Sequence, residues 1–234
     1  MTETPPLLRP RAPYTLIGHG EHSEVYRRRG AARCVQVFRP DCGLTPAKIL
    51  DEYAYLRRVY AALPGLIPPQ WLFETEPGDI AHAVLVKAWI DVDPGAALNR
   101  IRRKDLPEPG AAHLRCFITT TRDLLERAGH QDGILLPDII DHGFENLSLD
   151  TTGHLRLLDT NRLINTRALR ALRPGQKLDT EARPIHTAFL RRLIHLDARY
   201  GAYSARQVAA DPLYRRYLSP DHIGDLLGHG AQAE

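Results

Sequence analysis

Residues 136–163 read LPDIIDHGFENLSLDTTGHLRLLDTNRL. Two short runs of alternating apolar residues, 146–149 and 155–158, flank Thr151-Thr152-Gly153, whose composition is that of a turn. The stretch therefore predicts an extended lead-in, a tight loop and a β-hairpin. Polar residues stand at its corners: Asp141, then Asn146, then Asp159 at the end of the second strand. A hairpin with an asparagine at its entrance and an aspartate at its exit brings those two side chains together. Oxygen donors placed in that way suit a hard cation such as Mg²⁺, which completes its shell with water and phosphate. Asp141, across the loop, is placed to orient a hydroxyl or accept its proton. Turns use Asp and Asn for their own reasons, so the choice between metal ligands and ordinary turn residues rests on the chain upstream.

There, residues 14–26 alternate apolar positions into Gly18-His19-Gly20 and resume at Val25-Tyr26, which reads as strand, glycine turn, strand. Glycines in such a turn let backbone N–H groups approach phosphates closely. A third strand is expected over 33–38, with Gln36 at its centre. Residues 45–63 predict a helix, with Thr45 as its cap, Pro46 in its first turn and Pro64-Gly65 as its stop. Its apolar stripe is Ile49, Tyr53, Leu56, Tyr60 and Leu63, with Glu52 at the border of the stripe. Strands at 71–73 and 83–90, joined by a turn at 77–79, complete a five-stranded antiparallel sheet. Residues 91–95 read as a hinge and 111–128 as a second amphipathic helix ended by Gly129. Beyond residue 161 comes a basic, loop-rich segment, then a helix over 184–199 and short helices near 205–228. The division expected is a loose arm at 1–13, a sheet-rich unit at 14–90 and a mainly helical unit at 91–234.

The spacing Asp141–x₄–Asn146, followed by Asp159 after a hairpin, resembles the catalytic loop and metal turn of the protein kinase-like fold, H-R-D-x-x-x-x-N and D-F-G. Gly18-x-Gly20-x-x-Ser23-x-Val25 resembles the glycine-rich loop of the same fold, with Ser23 in the third glycine's place. The order of elements agrees with it. Compact size, this loop and the Arg33-Cys34-Val35 strand look most like the YrbL-type kinase-like proteins of the bacterial PhoP regulatory network. The resemblance covers about residues 14–163 and implies an α+β, two-lobed fold with a reduced helical C-lobe.

It further implies ATP and Mg²⁺ held between the lobes, with Gly18, Gly20, Ser23 and Val25 over the nucleotide. Asn146 and Asp159 are the implied metal ligands, and Asp141 is the acceptor-orienting carboxylate. It departs from the family at Gln36, which stands where an active kinase has the lysine that pairs with the helix carboxylate, here Glu52. An amide hydrogen-bonds but brings no charge. Arg27 and Lys87 are the candidate cations to stand in for that lysine.

Composition excludes several classes. The 234 residues are 43% hydrophobic and 25% charged with a formal net charge of +3, an ordinary balance that gives no footprint for nucleic acid. No apolar run nears the roughly 20 residues that cross a bilayer, and no secretory signal pattern opens the chain. Three cysteines, Cys34, Cys42 and Cys116, without a C-x-x-C spacing fit a reduced, cytoplasmic setting. The 11 histidines form no H-E-x-x-H or tight cluster, so no structural zinc is expected. The functional expectation is phosphoryl transfer to a hydroxyl, a Ser or Thr of a protein partner. The alternatives are a pseudokinase acting through nucleotide or protein contacts, a small-molecule kinase of the aminoglycoside type, and a cofactor-free binding module. The basic residues Arg162, Arg167, Arg170, Arg173, Lys177 and Arg183 read either as a surface for an acidic or phosphorylated partner or as a solvated face.

Overall fold

A computed structural model describes residues 13–20, 22–39, 42–74, 83–93, 95–141, 143–178 and 183–231. The arm at 1–12, the turn at 77–79 and His142 lie outside the described residues. Those described fall into two compact units, one within Met1–Tyr55 and Pro68–Asp91, the other within Leu56–Ile67 and Val92–Glu234.

The first unit is built on an antiparallel sheet of β1 (Tyr14–His19), β2 (Ser23–Arg28), β3 (Arg33–Phe38), β4 (Gln70–Glu74) and β5 (Ala83–Ala88), in the order β1-β2-β3-β5-β4. Register follows from the period-2 pattern. Val25 faces Gln36 and Gln36 faces Leu85 across adjacent strands, so their side chains share one face. That face buries Phe38, Ala83 and Leu85 against Ile49 of helix α1 (Pro46–Val59), while Tyr26, Val35, Val37 and Val84 form a second cluster on the other. A bulge between Leu16 and Gly18 bends β1 as it enters the glycine turn. Thr45 caps α1 by accepting the Lys48 N–H at 3.2 Å.

The helix closes at Val59, four residues before the end expected from its apolar stripe. Tyr60 and Leu63 continue as turns, and Leu56, Tyr60, Leu63 and Leu66 are buried in the second unit. Tyr60 stacks on Phe117 with ring centroids 5.1 Å apart. Its hydroxyl lies 2.8 Å from Thr121 Oγ1, which itself donates to Phe117 O at 2.7 Å, so Tyr60 is the donor. Residues 56–67, expected with the sheet, thus belong with the helices because their apolar side chains are used there.

The second unit centres on α2 (Glu108–Ala128), packed on α4 (Pro184–Tyr200). Around them lie α3 (Arg167–Arg170), α5 (Ala205–Ala210), α6 (Pro212–Tyr217) and α7 (Pro220–Ala231). Two small antiparallel pairs complete it: β6 (Leu135–Leu136) with β9 (Ile164–Asn165), and β7 (Leu147–Leu149) with β8 (Leu155–Leu157). The β7–β8 turn sits on the start of α2 at two glycines. A Cβ on Gly110 would lie 2.6 Å from Gly153 O, and one on Gly153 would lie 2.7 Å from Pro107 Cβ. Gly153 also has φ +80°. Asp150 closes the same turn, taking the Thr152 and His154 N–H groups and the Arg156 guanidinium. Burial alone would raise its carboxyl, but the Thr152 hydroxyl, donating at 2.6 Å, and those donors together hold it well below the usual carboxylate range.

The three cysteines are free. No helix among the described residues is long and apolar enough to cross a membrane.

Candidate active site

Asp141, Asn146 and Asp159 lie in the second unit, on the loop before the β7–β8 hairpin, at the hairpin's entrance and just past its exit. Both Asp141 oxygens face inward along the loop, one accepting the Glu145 N–H at 2.5 Å and the other the Asn146 N–H at 3.4 Å. The carboxylate thereby closes the loop as an Asx turn does. Phe144 in the middle adopts φ +55° with its ring buried, a backbone state that costs a side-chain-bearing residue about 1 kcal/mol or more. The carbonyl of Asn146 accepts the Leu158 N–H at 2.8 Å, so the hairpin ladder itself sets Asn146 beside the residue that precedes Asp159. Asp159 turns back to accept the Asn161 N–H at 2.9 Å through one oxygen.

Two features of this region have no counterpart in the motif reading. Asp138 is half-buried, and burial, then the neighbouring Asp159 and Asp141 charges, push its carboxyl up against the opposing pull of the Ile140 N–H and Arg162. Asn161 is fully buried, and neither its amide nitrogen nor its oxygen has a hydrogen-bond partner. Buried polar groups are nearly always satisfied. Mutually repelling carboxylates beside an unsatisfied amide form an environment that a divalent cation relieves. Among the described residues no three His, Cys, Asp or Glu side chains converge as a ready-made metal cage. An Asn–Asp pair is instead the incomplete kind of site that Mg²⁺ fills with water and phosphate oxygens. On that chemistry the residues fit the ion.

Helix α4 supports the loop from beneath. His195 lies 5.8 Å from the Phe144 ring, and its Nε2 is buried without a partner. Burial first, then Arg199 and Arg192, push its imidazole down to about 4. An unfolded histidine takes up its proton near pH 6.5. The folded chain therefore keeps its full stability above that value and loses it progressively as pH falls towards 4. His195→Leu is expected to flatten this dependence. Between about pH 7 and pH 5 the wild-type unfolding free energy from urea denaturation should fall by on the order of 1–2 kcal/mol more than the variant's. Equal losses would mean that His195 does not carry the effect.

In the first unit, Gln36 is buried and donates from Nε2 to Ser23 Oγ at 2.8 Å. Glu52 is buried on α1 with its carboxylate 3.9 Å from Lys48 Nζ, one turn earlier. Where the motif reading sets Gln36 and Glu52 opposite each other, the Gln36 amide is thus engaged with Ser23. Val25 lies directly across the strand from Gln36.

Arg27 and Lys87 share this face of the sheet. Arg27 is turned aside, its Nε donating to Ala31 O at 3.0 Å and its guanidinium stacked 3.9 Å over the Trp89 ring. Both cations act on Cys34, whose thiol burial pushes up and whose neighbours Lys87 and Arg27 pull down. Neither Gly18 nor Gly20 has a positive φ, and a Cβ there would make only ordinary contacts at 3.6 and 3.7 Å. The fold therefore has no steric need of these two glycines. The Gly20 N–H closes the turn on Ser23 O at 2.9 Å.

No family model and no curated protein matches the chain. Among solved structures it is similar to the kinase PK-1 of the Cydia pomonella granulovirus, with a TM-score of 0.37 and 15% identity over 64% of this chain. The match spans about 55% of the length of that kinase. A superposition at that level assigns no role to any residue of this chain.

Proposed function

We propose that the chain is a kinase-like phosphotransferase that uses Mg²⁺ and ATP to phosphorylate a hydroxyl, a Ser or Thr of a protein partner. The observation that carries this reading is the backbone bond that sets Asn146 beside Leu158, the residue before Asp159, with Asp141 on the loop that leads into the same hairpin. Asn146 and Asp159 hold the metal, which when bound neutralises charge on the phosphate oxygens. Asp141 orients the acceptor hydroxyl and takes its proton as the acceptor oxygen bonds to the γ-phosphorus and the bond to ADP breaks. Each Asp141 oxygen already accepts a backbone N–H, which fixes its direction and leaves a lone pair for the acceptor. Gly18, Gly20 and Ser23 form the phosphate-covering turn. Their support is that the fold itself does not require glycine at the first two.

Gln36 favours a second reading, a pseudokinase that regulates through nucleotide or protein contacts. It stands where charge on the phosphates is needed, is neutral, and is hydrogen-bonded to Ser23.

Calorimetry with ATP, with and without Mg²⁺, on the wild type and Asp159→Ala tests both. The expected result is Mg²⁺-dependent binding by the wild type, lost by at least tenfold in the variant. Metal-independent binding of equal strength in both would remove Asp159 from the metal site. Absence of binding by the wild type would overturn the phosphotransferase reading and leave a protein-binding role.

A further inference from the structure

We infer that Arg192, on α4, is a positioning residue for Asp141 and brings to the catalytic loop the cation that the loop lacks. This rests on the proposed role of Asp141 as the acceptor-orienting carboxylate. The two residues before Asp141 are Ile139 and Ile140, preceded by Asp138, so no positive charge comes from the loop's own lead-in. The chain supplies one from a helix some fifty residues later. Arg192 Nε points to Ile140 O at 3.4 Å, next to Asp141 in the chain, and its guanidinium lies 5.6 Å over the Phe144 ring. One turn further along α4, His195 packs against the same ring, with centroids 5.8 Å apart.

The loop from Ile140 to Phe144 is thus held at both ends by one helix face, at a residue whose φ of +55° persists only where surroundings impose it. Asp141 in turn holds the Glu145 and Asn146 N–H groups. Arg192 acts on the metal-binding asparagine through this carboxylate. Burial weakens the guanidinium's hold on its proton, and the nearby Asp141 charge offsets part of that loss. An arginine remains charged at any physiological pH. Held beside the loop by its contact with Ile140 O, it keeps Asp141 aimed, as a proton-accepting carboxylate must be.

Two independent measurements test this on the full chain in wild-type, Arg192→Gln and Arg192→Lys forms. The first is amide hydrogen exchange at Glu145 and Asn146, which needs no activity. Exchange is expected to speed up at least tenfold in the glutamine variant, to stay near wild type in the lysine variant, and to be unchanged along α2. Unchanged exchange in the glutamine variant, or a lysine variant as fast as it, would overturn the inference.

The second applies once the wild type shows Mg²⁺-dependent ATP turnover. The glutamine variant should lose about tenfold or more in kcat with KM for ATP unchanged, and lysine should restore most of it. A rise in KM with kcat intact would overturn the positioning role. If the wild type binds no Mg·ATP, the phosphotransferase reading fails, and the exchange data still decide whether Arg192 holds the loop.

Discussion

Replacing Arg122 by methionine is expected to remove about 3–5 kcal/mol of stability. Arg122 leaves α2 to bridge two carboxylates from different elements. One is Asp197 of α4, and the other is Asp211 at the start of α6, at 2.5 Å. Asp197 is 1% exposed and also accepts the Tyr214 hydroxyl at 2.8 Å. The rings of Tyr203 and Tyr214 each lie 5.2 Å from the guanidinium carbon. Burial alone would weaken the guanidinium's proton affinity, but Asp211, Tyr214 and Asp197 together raise it above its usual value.

Such a cluster is hard to assemble and harder to break, because truncating one side strands a charge out of water. Arg122→Met leaves Asp197 in that state. Adding Asp197→Asn to the same chain should recover part of the loss, since a neutral amide is far easier to bury. Urea denaturation of the three proteins measures it. A single variant within about 1 kcal/mol of wild type would show that solvent reaches the cluster and screens it.

Asp141→Asn is expected to lower phosphoryl transfer by roughly 10²–10⁴-fold while leaving Mg²⁺-dependent ATP binding nearly intact. The amide oxygen of asparagine still accepts the Glu145 N–H, so the loop keeps the shorter of its two closing bonds and loses only the 3.4 Å bond from the Asn146 N–H. What is lost is the negative charge and the capacity to take the acceptor's proton. The side chains of the proposed metal ligands, Asn146 and Asp159, are unchanged, and the Asn146 carbonyl stays fixed by the Leu158 N–H. The signature is therefore a fall in kcat with an unchanged binding isotherm, read by turnover and calorimetry on the same sample. An equal fall in ATP affinity would place Asp141 among the groups that hold the nucleotide and take from it the role of proton acceptor.

Much of the sheet is legible from residue order because its signal is local. Alternation in Cys34-Val35-Gln36-Val37-Phe38 marks the strand, and the same alternation puts Gln36 on the face shared with Val25 and Leu85. The hairpin is legible for the same reason, from a turn of Thr-Thr-Gly between two leucine-bearing runs. The end of α1 is not. Tyr60 and Leu63 extend its apolar period, yet they are apolar because they pack within the second unit, around Phe117. Periodicity records burial without recording by what.

Asp138 escapes a reading of the sequence on similar grounds. It stands in an apolar lead-in with no motif spacing of its own, and its coupling to Asp159 arises only when the chain returns after the hairpin. Arg192 is remoter still. In an arginine-rich stretch nothing local separates it from the exposed Arg191 beside it, and only the docking of α4 beneath Phe144 does so.

Gly110 and Gly153 meet with no room between them for a methyl group. In mechanical terms the far tip of the hairpin is bolted to the first turn of α2, while the mouth of the same hairpin carries Asn146 and leads to Asp159. A lever fixed at its tip leaves its mouth little travel. The proposed ligand pair thus inherits its rigidity from two hydrogen-atom side chains at the far end of the hairpin. In a library of variants sorted only for preserved shape, these two positions would look as intolerant as a catalytic aspartate, for want of space and, at Gly153, for its left-handed backbone.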